Sequence, residues 1–367
     1  MDSFDDIRPF YDSEIPEAMA RVAEWPDLPQ AIRFIYPDAD IEETRRKIGS
    51  VQTIKQLQST VMNDAIKRIV HATTEGLTCS GISRLRRGTP YLFVSNHRDI
   101  TLDAFLLQHL LIERGFDTSY IVFGQNLLSA PVMYDLFRAN KLVRMPRGGS
   151  PRAFYDSLHH LSDYINHLVR EGRHSVWIAQ KNGRSKDGVD TTAEAMLKML
   201  CLGGGGDSLS TLVSLNLVPV SVSYEWDPCD AMKALELHRR SLGAYEKAPD
   251  EDFRSVVAGI IGEKGHVHLH IGVPLQPDEM APGEGMDVCR HVAGLLDSRI
   301  QAGYHLMPSN YAAYSLLHGR QLPGRYTERT EAKLLQRVDD QPDPKVRRLM
   351  LEAYAAPVES KERLSAL

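Results

Sequence analysis

Short apolar runs alternate with longer amphipathic segments from about residue 76 onward. The apolar runs span residues 91–94, 120–123, 141–143, 175–179, 217–222 and 267–271. Runs of this length that are rich in β-branched and aromatic residues predict strands, and segments such as 104–114 and 152–171 between them have the length and pattern of helices. The alternation therefore predicts an α/β fold, with a largely parallel mixed sheet flanked by helices.

The two ends of the chain lack this alternation. Residues 13–24 and 41–72 follow helical patterns separated by a proline-containing stretch, so residues 1–75 are predicted to form a helical N-terminal region. Residues 305–367 are charged and interrupted by prolines, which predicts a C-terminal tail of loops and surface helices. Residues 76–304 then form the main domain.

The charge and the cysteine content of the chain argue against several classes of protein. The chain has 43 Lys and Arg against 48 Asp and Glu, a net charge of -5, which argues against a general nucleic-acid binder but allows a local basic pocket. The four cysteines include no Cys-x-x-Cys pair, so neither a zinc pattern nor a disulfide framework is indicated, and a reducing compartment fits.

The sequence gives no sign of secretion or of membrane spanning. The N-terminus carries no basic region followed by an apolar stretch, and the apolar run 104–112 is interrupted and too short to cross a bilayer. We expect a protein that is cytoplasmic or peripherally bound to the cytoplasmic face of the inner membrane. The basic residues on the helical pattern of 41–72 could contact such a surface. A plain solvated helix is the alternative for this stretch.

The segment 93–103 joins the end of an apolar run to residues capable of chemistry. His97 follows the predicted strand, and a helix is predicted to start almost at once. Ligand crevices in open α/β sheets form at the carboxyl ends of strands. An Asp early in the next element could hold one ring nitrogen of the His and leave the other free to take a proton. Asp99 and Asp103 are both candidates, although Asp99 also suits a helix N-cap.

This segment resembles the first motif of the glycerolipid acyltransferases, which include lysophosphatidate and glycerol-3-phosphate acyltransferases. The family pattern is His, four residues, Asp. Here Leu102 occupies that spacing and Asp103 follows one residue later. Because the apolar residues 104–107 suit the helix that follows the family Asp, the resemblance assigns the role of catalytic base to His97 and that of its partner to Asp103, with Asp99 as the alternative.

A second segment, residues 140–148, lies where the family has its second motif. That motif ends with an Arg that contacts the acceptor phosphate, and Arg147 is the best match, with Arg144 and Lys141 as further candidates. A guanidinium presents paired donors to phosphate oxygens, and such charge-assisted pairs both bind and orient. The resemblance therefore implies a phosphate-binding role for these cations.

A third segment, residues 176–188, resembles the family motif that follows the next strand. Gly183, Arg184 and Ser185 match its Gly-Arg-Ser ending, so the resemblance places them in the acceptor site, with Arg184 as a second phosphate ligand. Asn182 stands where the family has a Glu. This departure removes a negative charge and bears on acceptor preference or on the efficiency of catalysis more than on the fold.

A fourth segment, residues 217–225, fits the last family motif, an apolar strand with a central proline. In the family such strands line the acyl or acceptor pocket, which here implies a pocket formed by Val218, Pro219 and Val220. A proline within a strand also predicts an edge or bulged position, because it cannot donate a ladder hydrogen bond.

The four motifs, in family order, imply a function. We expect an O-acyltransferase that moves a fatty acyl group from acyl-CoA or acyl-ACP to a hydroxyl of glycerol 3-phosphate or 1-acylglycerol 3-phosphate in phospholipid synthesis, without a cofactor. Two alternatives stay open. One is an acyltransferase for a different lysolipid or alcohol acceptor, which stays possible because Asn182 replaces the Glu of the family motif. The other is a catalytically silent lipid-binding homologue.

Three histidines at alternate positions, His266, His268 and His270, suggest a metal site at first sight. In a strand their side chains share one face. A metal site needs further ligands in a closed shell, and no acidic or cysteine partner is near in sequence. A solvent-facing strand edge is therefore the prediction, with no metal ligand assigned.

Overall fold

A computed structural model describes residues 4–125, 131–145, 148–248 and 250–366. Across these residues one seven-stranded sheet has the order β1-β7-β6-β2-β5-β3-β4. Neighbouring strands are parallel, except that β6 and β7 are antiparallel. The predicted α/β fold with a largely parallel mixed sheet is confirmed. The strands are β1 (Thr74–Ser80), β2 (Leu92–Ser95), β3 (Tyr120–Gly124), β4 (Leu142–Met145), β5 (Val176–Ala179), β6 (Leu217–Tyr224) and β7 (Gly265–Ile271).

Helices cover both faces of this sheet and form both ends of the described chain. Short 3₁₀ turns occur at Asp12–Glu14 and Ile82–Arg84, and π-helical segments at Leu57–Met62 and His167–Glu171. The α-helices are α1 (Ile15–Ala23), α2 (Leu28–Ile35), α3 (Ile41–Gly49), α4 (Ile54–Gln56), α5 (Asn63–Thr73), α6 (Leu102–Glu113), α7 (Pro131–Ala139), α8 (Pro151–Asn166), α9 (Glu194–Leu200), α10 (Ser208–Ser214), α11 (Asp230–Leu242), α12 (Glu251–Ile261), α13 (Pro277–Met280), α14 (Val288–Gly303), α15 (Pro308–His318), α16 (Glu328–Asp339) and α17 (Pro344–Ser365).

The central strands are buried on both faces, which explains their continuous apolar sequences. Every residue of β2 and β6 is buried. Side chains alternate across the sheet, so Phe93 packs in the same core as Leu106 of α6 and Val94 in the same core as Leu161 of α8. Because β5, β2 and β6 are parallel, their carboxyl ends meet at one edge of the sheet, here called the carboxyl edge.

The N-terminal region is helical, but the prediction of one helix over residues 41–72 is wrong. Asp40 caps α3 by accepting a hydrogen bond from the Glu43 N–H, and Thr53 caps α4 in the same way from the Gln56 N–H. Each cap starts a new helix, so the chain turns between Gly49 and Ile54. The basic character of the stretch is also reduced, because Arg45, Lys67 and Arg68 form ion pairs with acidic residues.

The histidine row of β7 does not lie on a strand edge, so that prediction is wrong. β7 is hydrogen bonded between β1 and β6. The apolar runs do not predict β1, because its sequence is polar. Thr78 of β1 bonds the rings of His266 and His268, and Ser80 bonds those of His268 and His270, at 2.7–2.9 Å. In the part of the chain that the structure describes, no group of three or more His, Cys, Asp or Glu side chains is arranged to hold a metal ion.

The C-terminal helices pack into the domain instead of lying loosely on its surface. α15, α16 and α17 share a core with Trp226, to which Ala312, Leu334 and Ala355 contribute fully buried side chains. Apolar residues at helical spacing within the charged sequence produce this core. None of the helices in the described ranges combines the length and apolar character that a bilayer-spanning segment needs.

Candidate active site

His97 lies two residues beyond the end of β2, at the carboxyl edge of the sheet. Its Nδ1 is 2.9 Å from Oδ2 of Asp103 in the first turn of α6. Because a carboxylate only accepts hydrogen bonds, Nδ1 carries the proton and Nε2 is the acceptor nitrogen of the neutral ring. Among the described residues Nε2 has no hydrogen-bond partner, and the side chain is 14% exposed. The geometry leaves this nitrogen available to a substrate hydroxyl.

Asp103 is held in place by four donors. Besides His97, the backbone N–H groups of Arg98 and Asp99 donate to its Oδ2 at 2.6 and 2.9 Å, and the Tyr224 hydroxyl donates to its Oδ1 at 2.9 Å. The carboxylate is buried. An acceptor with four fixed donors cannot rotate freely, so Asp103 fixes the orientation of the His97 ring.

Asp99 lies three residues before α6 and is not the carboxylate that bonds His97. Its Oδ1 accepts hydrogen bonds from the N–H groups of Thr101 and Leu102 at 2.9 and 2.8 Å. Its Oδ2 is buried and has no partner among the described residues. Burial, and then the nearby Asp103 carboxylate, raises the pKa of Asp99. Of the two candidates, the structure brings Asp103 to His97.

Four backbone donors that follow His97 are already used inside the protein. The N–H groups of Arg98 and Asp99 bind Asp103, and those of Thr101 and Leu102 bind Asp99. They hold the two carboxylates and are not free to stabilise an oxyanion on a substrate.

Tyr224 is a site residue that the motif comparison did not identify. It ends β6, is buried, and lies 121 residues from the carboxylate that it contacts. The sequence feature that points to Tyr224 is a hydroxyl-bearing residue at the end of an apolar run that predicts a buried strand. Such a hydroxyl needs a hydrogen-bond partner, and the carboxyl edge is where polar site residues collect.

Replacing Tyr224 with Phe is expected to lower both the turnover rate and the stability. The change leaves Oδ1 of Asp103 without its donor, which costs about 1–3 kcal/mol of unfolding free energy and loosens the His97 ring. We expect kcat to fall by roughly tenfold, which corresponds to about 1.4 kcal/mol, measured by thiol release alongside urea unfolding.

Tyr314→Phe provides the matched control, because its hydroxyl bonds the Glu362 carboxylate at 2.8 Å among the C-terminal helices. It should lose stability and keep kcat. Equal kcat values for the two variants would show that Tyr224 has no positioning role.

The loop after β5 is attached to the His97 segment. The Gln180 N–H donates to the Ser95 carbonyl, and the Ser185 N–H donates to the His97 carbonyl, both at 2.8 Å. Ser185 is buried and its hydroxyl donates to the Val189 carbonyl at 3.0 Å. Gly183 is exposed and has a left-handed φ of 80°, which glycine adopts without strain. The first and third segments therefore meet, with Ser185 as a link between them.

Arg184 is buried beneath α12 at this site. One guanidinium nitrogen, Nη2, donates to the Ser255 hydroxyl at 3.1 Å, and the other, Nη1, is buried without a partner among the described residues. Burial opposes its charge, but the nearby Cys229 thiol and Asp99 carboxylate outweigh burial and raise the pKa of Arg184. The side chain is a charged, incompletely satisfied donor close to the His97 segment.

Of the three cations predicted in the second segment, the two that the structure describes, Arg144 and Lys141, are not gathered at His97. Arg147 lies outside the described residues. Arg144 is half-buried on β4, three strands from β2, which is roughly 14 Å at the usual strand spacing. Lys141 precedes β4 and so lies at the opposite edge of the sheet. Its Nζ donates to the Thr118 hydroxyl at 2.9 Å, and burial lowers the pKa of Lys141 to about 8.

The strand predicted to line the acyl pocket is internal. Val218 and Val220 are fully buried in the core that contains α6. Pro219 does not mark an edge, contrary to the prediction, because β6 lies between β2 and β7. Pairing with β7 begins one residue later, at Val220, and the Pro219 carbonyl accepts from the Gly272 N–H at 2.8 Å. The missing N–H of the proline therefore interrupts no pairing.

The chain is similar to proteins of known function. Residues 76–221 match the acyltransferase family. A segment of 116 residues, 31% of the chain, is 32% identical to glycerol-3-phosphate acyltransferases of Xanthomonas axonopodis pv. citri and Xanthomonas campestris pv. campestris, and spans 12% of the length of each. Among solved structures, the lysophosphatidate acyltransferase PlsC of Thermotoga maritima is similar at a TM-score of 0.40 and 14% identity, over 79% of this chain and 94% of that one.

Proposed function

Because the chain belongs to the glycerolipid acyltransferase family, with the family's domain at residues 76–221, we propose that it is an O-acyltransferase. It moves a fatty acyl group from acyl-CoA or acyl-ACP to a hydroxyl of a glycerol-phosphate-type acceptor, either glycerol 3-phosphate or 1-acylglycerol 3-phosphate. The observation that carries the proposal is the His97–Asp103 pair at the carboxyl edge, where no described residue bonds Nε2 of His97.

The proposed reaction is a direct transfer. Nε2 of His97 takes the proton of the acceptor hydroxyl as its oxygen attacks the thioester carbonyl. The C–O bond forms, the C–S bond breaks, and the proton passes from His97 to the departing thiolate. Asp103 stabilises the imidazolium that exists between these two transfers. The thioester is the donor, and we expect no further cofactor.

Arg184 is proposed to bind the acceptor phosphate. Its unpartnered Nη1 is a buried donor beside the His97 segment, and a phosphate oxygen would satisfy it. Anchoring the phosphate also positions the hydroxyl, which converts a bimolecular encounter into a reaction within one complex. Arg147, the best motif match in the second segment, remains a further candidate for the same phosphate.

The test is thiol release from acyl-CoA and from acyl-ACP with a panel of acceptors. The panel contains glycerol 3-phosphate, 1-acylglycerol 3-phosphate, free glycerol and lysophosphatidylcholine. We expect release with one of the first two and little with glycerol, which has the hydroxyls but lacks the phosphate. Release with lysophosphatidylcholine or glycerol alone would overturn the acceptor class. No release with any acceptor would instead favour a silent lipid-binding protein.

A further inference from the structure

A second concave site lies at the edge of the sheet opposite His97, here called the amino edge. The segments that lead into β2, β3 and β5 meet there around a cavity of about 240 Å³. This amino-edge cleft is lined by Arg86, Arg87, Tyr91, Phe116, Arg173 and His174, among others. Of its described lining, Phe93 belongs to a motif segment, and the polar and charged residues belong to none of the four.

The cleft concentrates positive charge in a chain whose net charge is -5. Three arginines and a histidine line it, and Asp117 is the acidic residue among its described lining. Neither Arg86 nor Arg173 has an ion-pair partner in the described ranges. Lys141 is a further cation next to the cleft, because its Nζ bonds Thr118, which is one of the lining residues. A cleft lined mainly by residues of one charge sign attracts an ion of the opposite sign, here an anion.

The cationic turn of the cleft is fixed to the sheet. Residues 86–89 form a tight turn, closed by a hydrogen bond from the Thr89 N–H to the Arg86 carbonyl at 3.2 Å. The Arg86 N–H donates to the Tyr91 hydroxyl at 2.9 Å, and the Tyr91 N–H donates to the Ser175 hydroxyl at 3.1 Å. The turn is therefore attached to the starts of β2 and β5, and it holds Arg86 in a defined place.

Arg173 occupies a backbone conformation that does not suit an arginine. Its φ is 54°, in the left-handed region, at the end of a helical segment where glycine or asparagine is preferred. The next residue, His174, closes this helix end by donating its N–H to the Leu168 carbonyl at 2.8 Å. A large cation held in a strained position of this kind points to a use for its side chain.

We propose that the amino-edge cleft binds a phosphate group, through Arg86 and Arg173, at a site separate from the acyl-transfer site. Guanidinium groups match phosphate oxygens in geometry and charge. The rings of Tyr91 and Phe116 provide an apolar wall for a carbon chain attached to that phosphate. The volume fits a phosphate with a few carbons. Such a group is found in a small phosphorylated molecule and in a phospholipid headgroup.

The experiment uses the full chain and two probes. Binding of radiolabelled inorganic phosphate is measured by equilibrium dialysis, and flotation is measured with phosphatidylcholine vesicles with and without phosphatidic acid. The variants are Arg86→Gln, Arg173→Gly and the two changes combined. The control is Arg33→Gln combined with Arg329→Gln, which removes two exposed arginines elsewhere on the described surface and so matches the change in net charge.

Arg173→Gly is the sharper variant, because stability and binding should move in opposite directions. Glycine relieves the left-handed strain, so the thermal midpoint of Arg173→Gly should rise while its affinity for phosphate falls. When both arginines are replaced, phosphate affinity at the cleft should fall at least tenfold. Loss of phosphate binding alone would identify a free phosphorylated molecule, and loss of flotation on phosphatidic acid vesicles would identify the headgroup.

Phosphate binding and flotation equal to those of the control would overturn the proposal. Thiol release measured on the same variants separates this result from the proposed function. Arg86 and Arg173 lie at the edge opposite His97, so release should be retained whether or not the cleft binds phosphate. A failure of the acyl-transfer proposal would instead appear as absent release in the unaltered chain.

Discussion

Replacing His97 with Ala is expected to reduce kcat/KM for thiol release by about 10²–10⁴-fold, the usual contribution of a general base. The change removes Nε2, the nitrogen at the carboxyl edge that no described residue bonds. It also leaves Asp103 with three of its four donors. Because those three include two backbone groups, the segment should keep its shape, and circular dichroism should match that of the unaltered chain.

His159→Ala is the matched control for this prediction. His159 forms a similar His–Asp pair with Asp163, at 3.0 Å, but on the exposed surface of α8. Its loss should leave kcat/KM within about twofold, as expected for an exposed pair that contributes little. If His97→Ala keeps near-normal thiol release while remaining folded, the proposed mechanism is wrong.

Replacing Asp103 with Asn is expected to lower kcat by about 10²-fold or more, because the charge that stabilises the imidazolium is lost. In one orientation, the amide of the new Asn side chain can keep all the hydrogen bonds of the Asp103 carboxylate. Its oxygen accepts from His97 and from the two backbone N–H groups, and its NH₂ donates to the Tyr224 oxygen, which can also accept. The variant should therefore fold, and thiol release should report the loss of charge.

Asp99→Asn is the comparison that separates the two carboxylates. Its effect on kcat should stay below about tenfold, since Asp99 is not the carboxylate that bonds His97. The pKa of Asp99 is raised by burial and by Asp103, so ionised Asp99 costs stability, and this cost grows as the pH rises above about 4.

The Asn variant avoids that cost, and its unfolding free energy relative to the unaltered chain should be higher near pH 7 than near pH 4. Urea unfolding of the variant and of the unaltered chain at both pH values tests the sign of this change in relative stability. A larger loss of kcat in Asp99→Asn than in Asp103→Asn would assign the catalytic partner to Asp99 instead.

Much of the fold can be predicted from local pattern because its central strands are buried on both faces. Six of the seven strands in the described ranges coincide with apolar runs in the sequence. β1 was missed, since a polar strand at the edge of a sheet leaves no such run. The break between α3 and α4 was also missed, because a single capping residue, Thr53, decides it.

The sequence by itself determined the α/β class, the family resemblance and the position of His97 just beyond a strand. Each of these follows from residues that are close together along the chain. The tertiary structure decided which side chains meet. Asp103 rather than Asp99 reaches the ring, Tyr224 reaches Asp103 from a strand 121 residues away, and Lys141 lies at the opposite edge. The order of strands and the packing of helices fix these distances, and both depend on contacts between distant parts of the chain that no local pattern encodes.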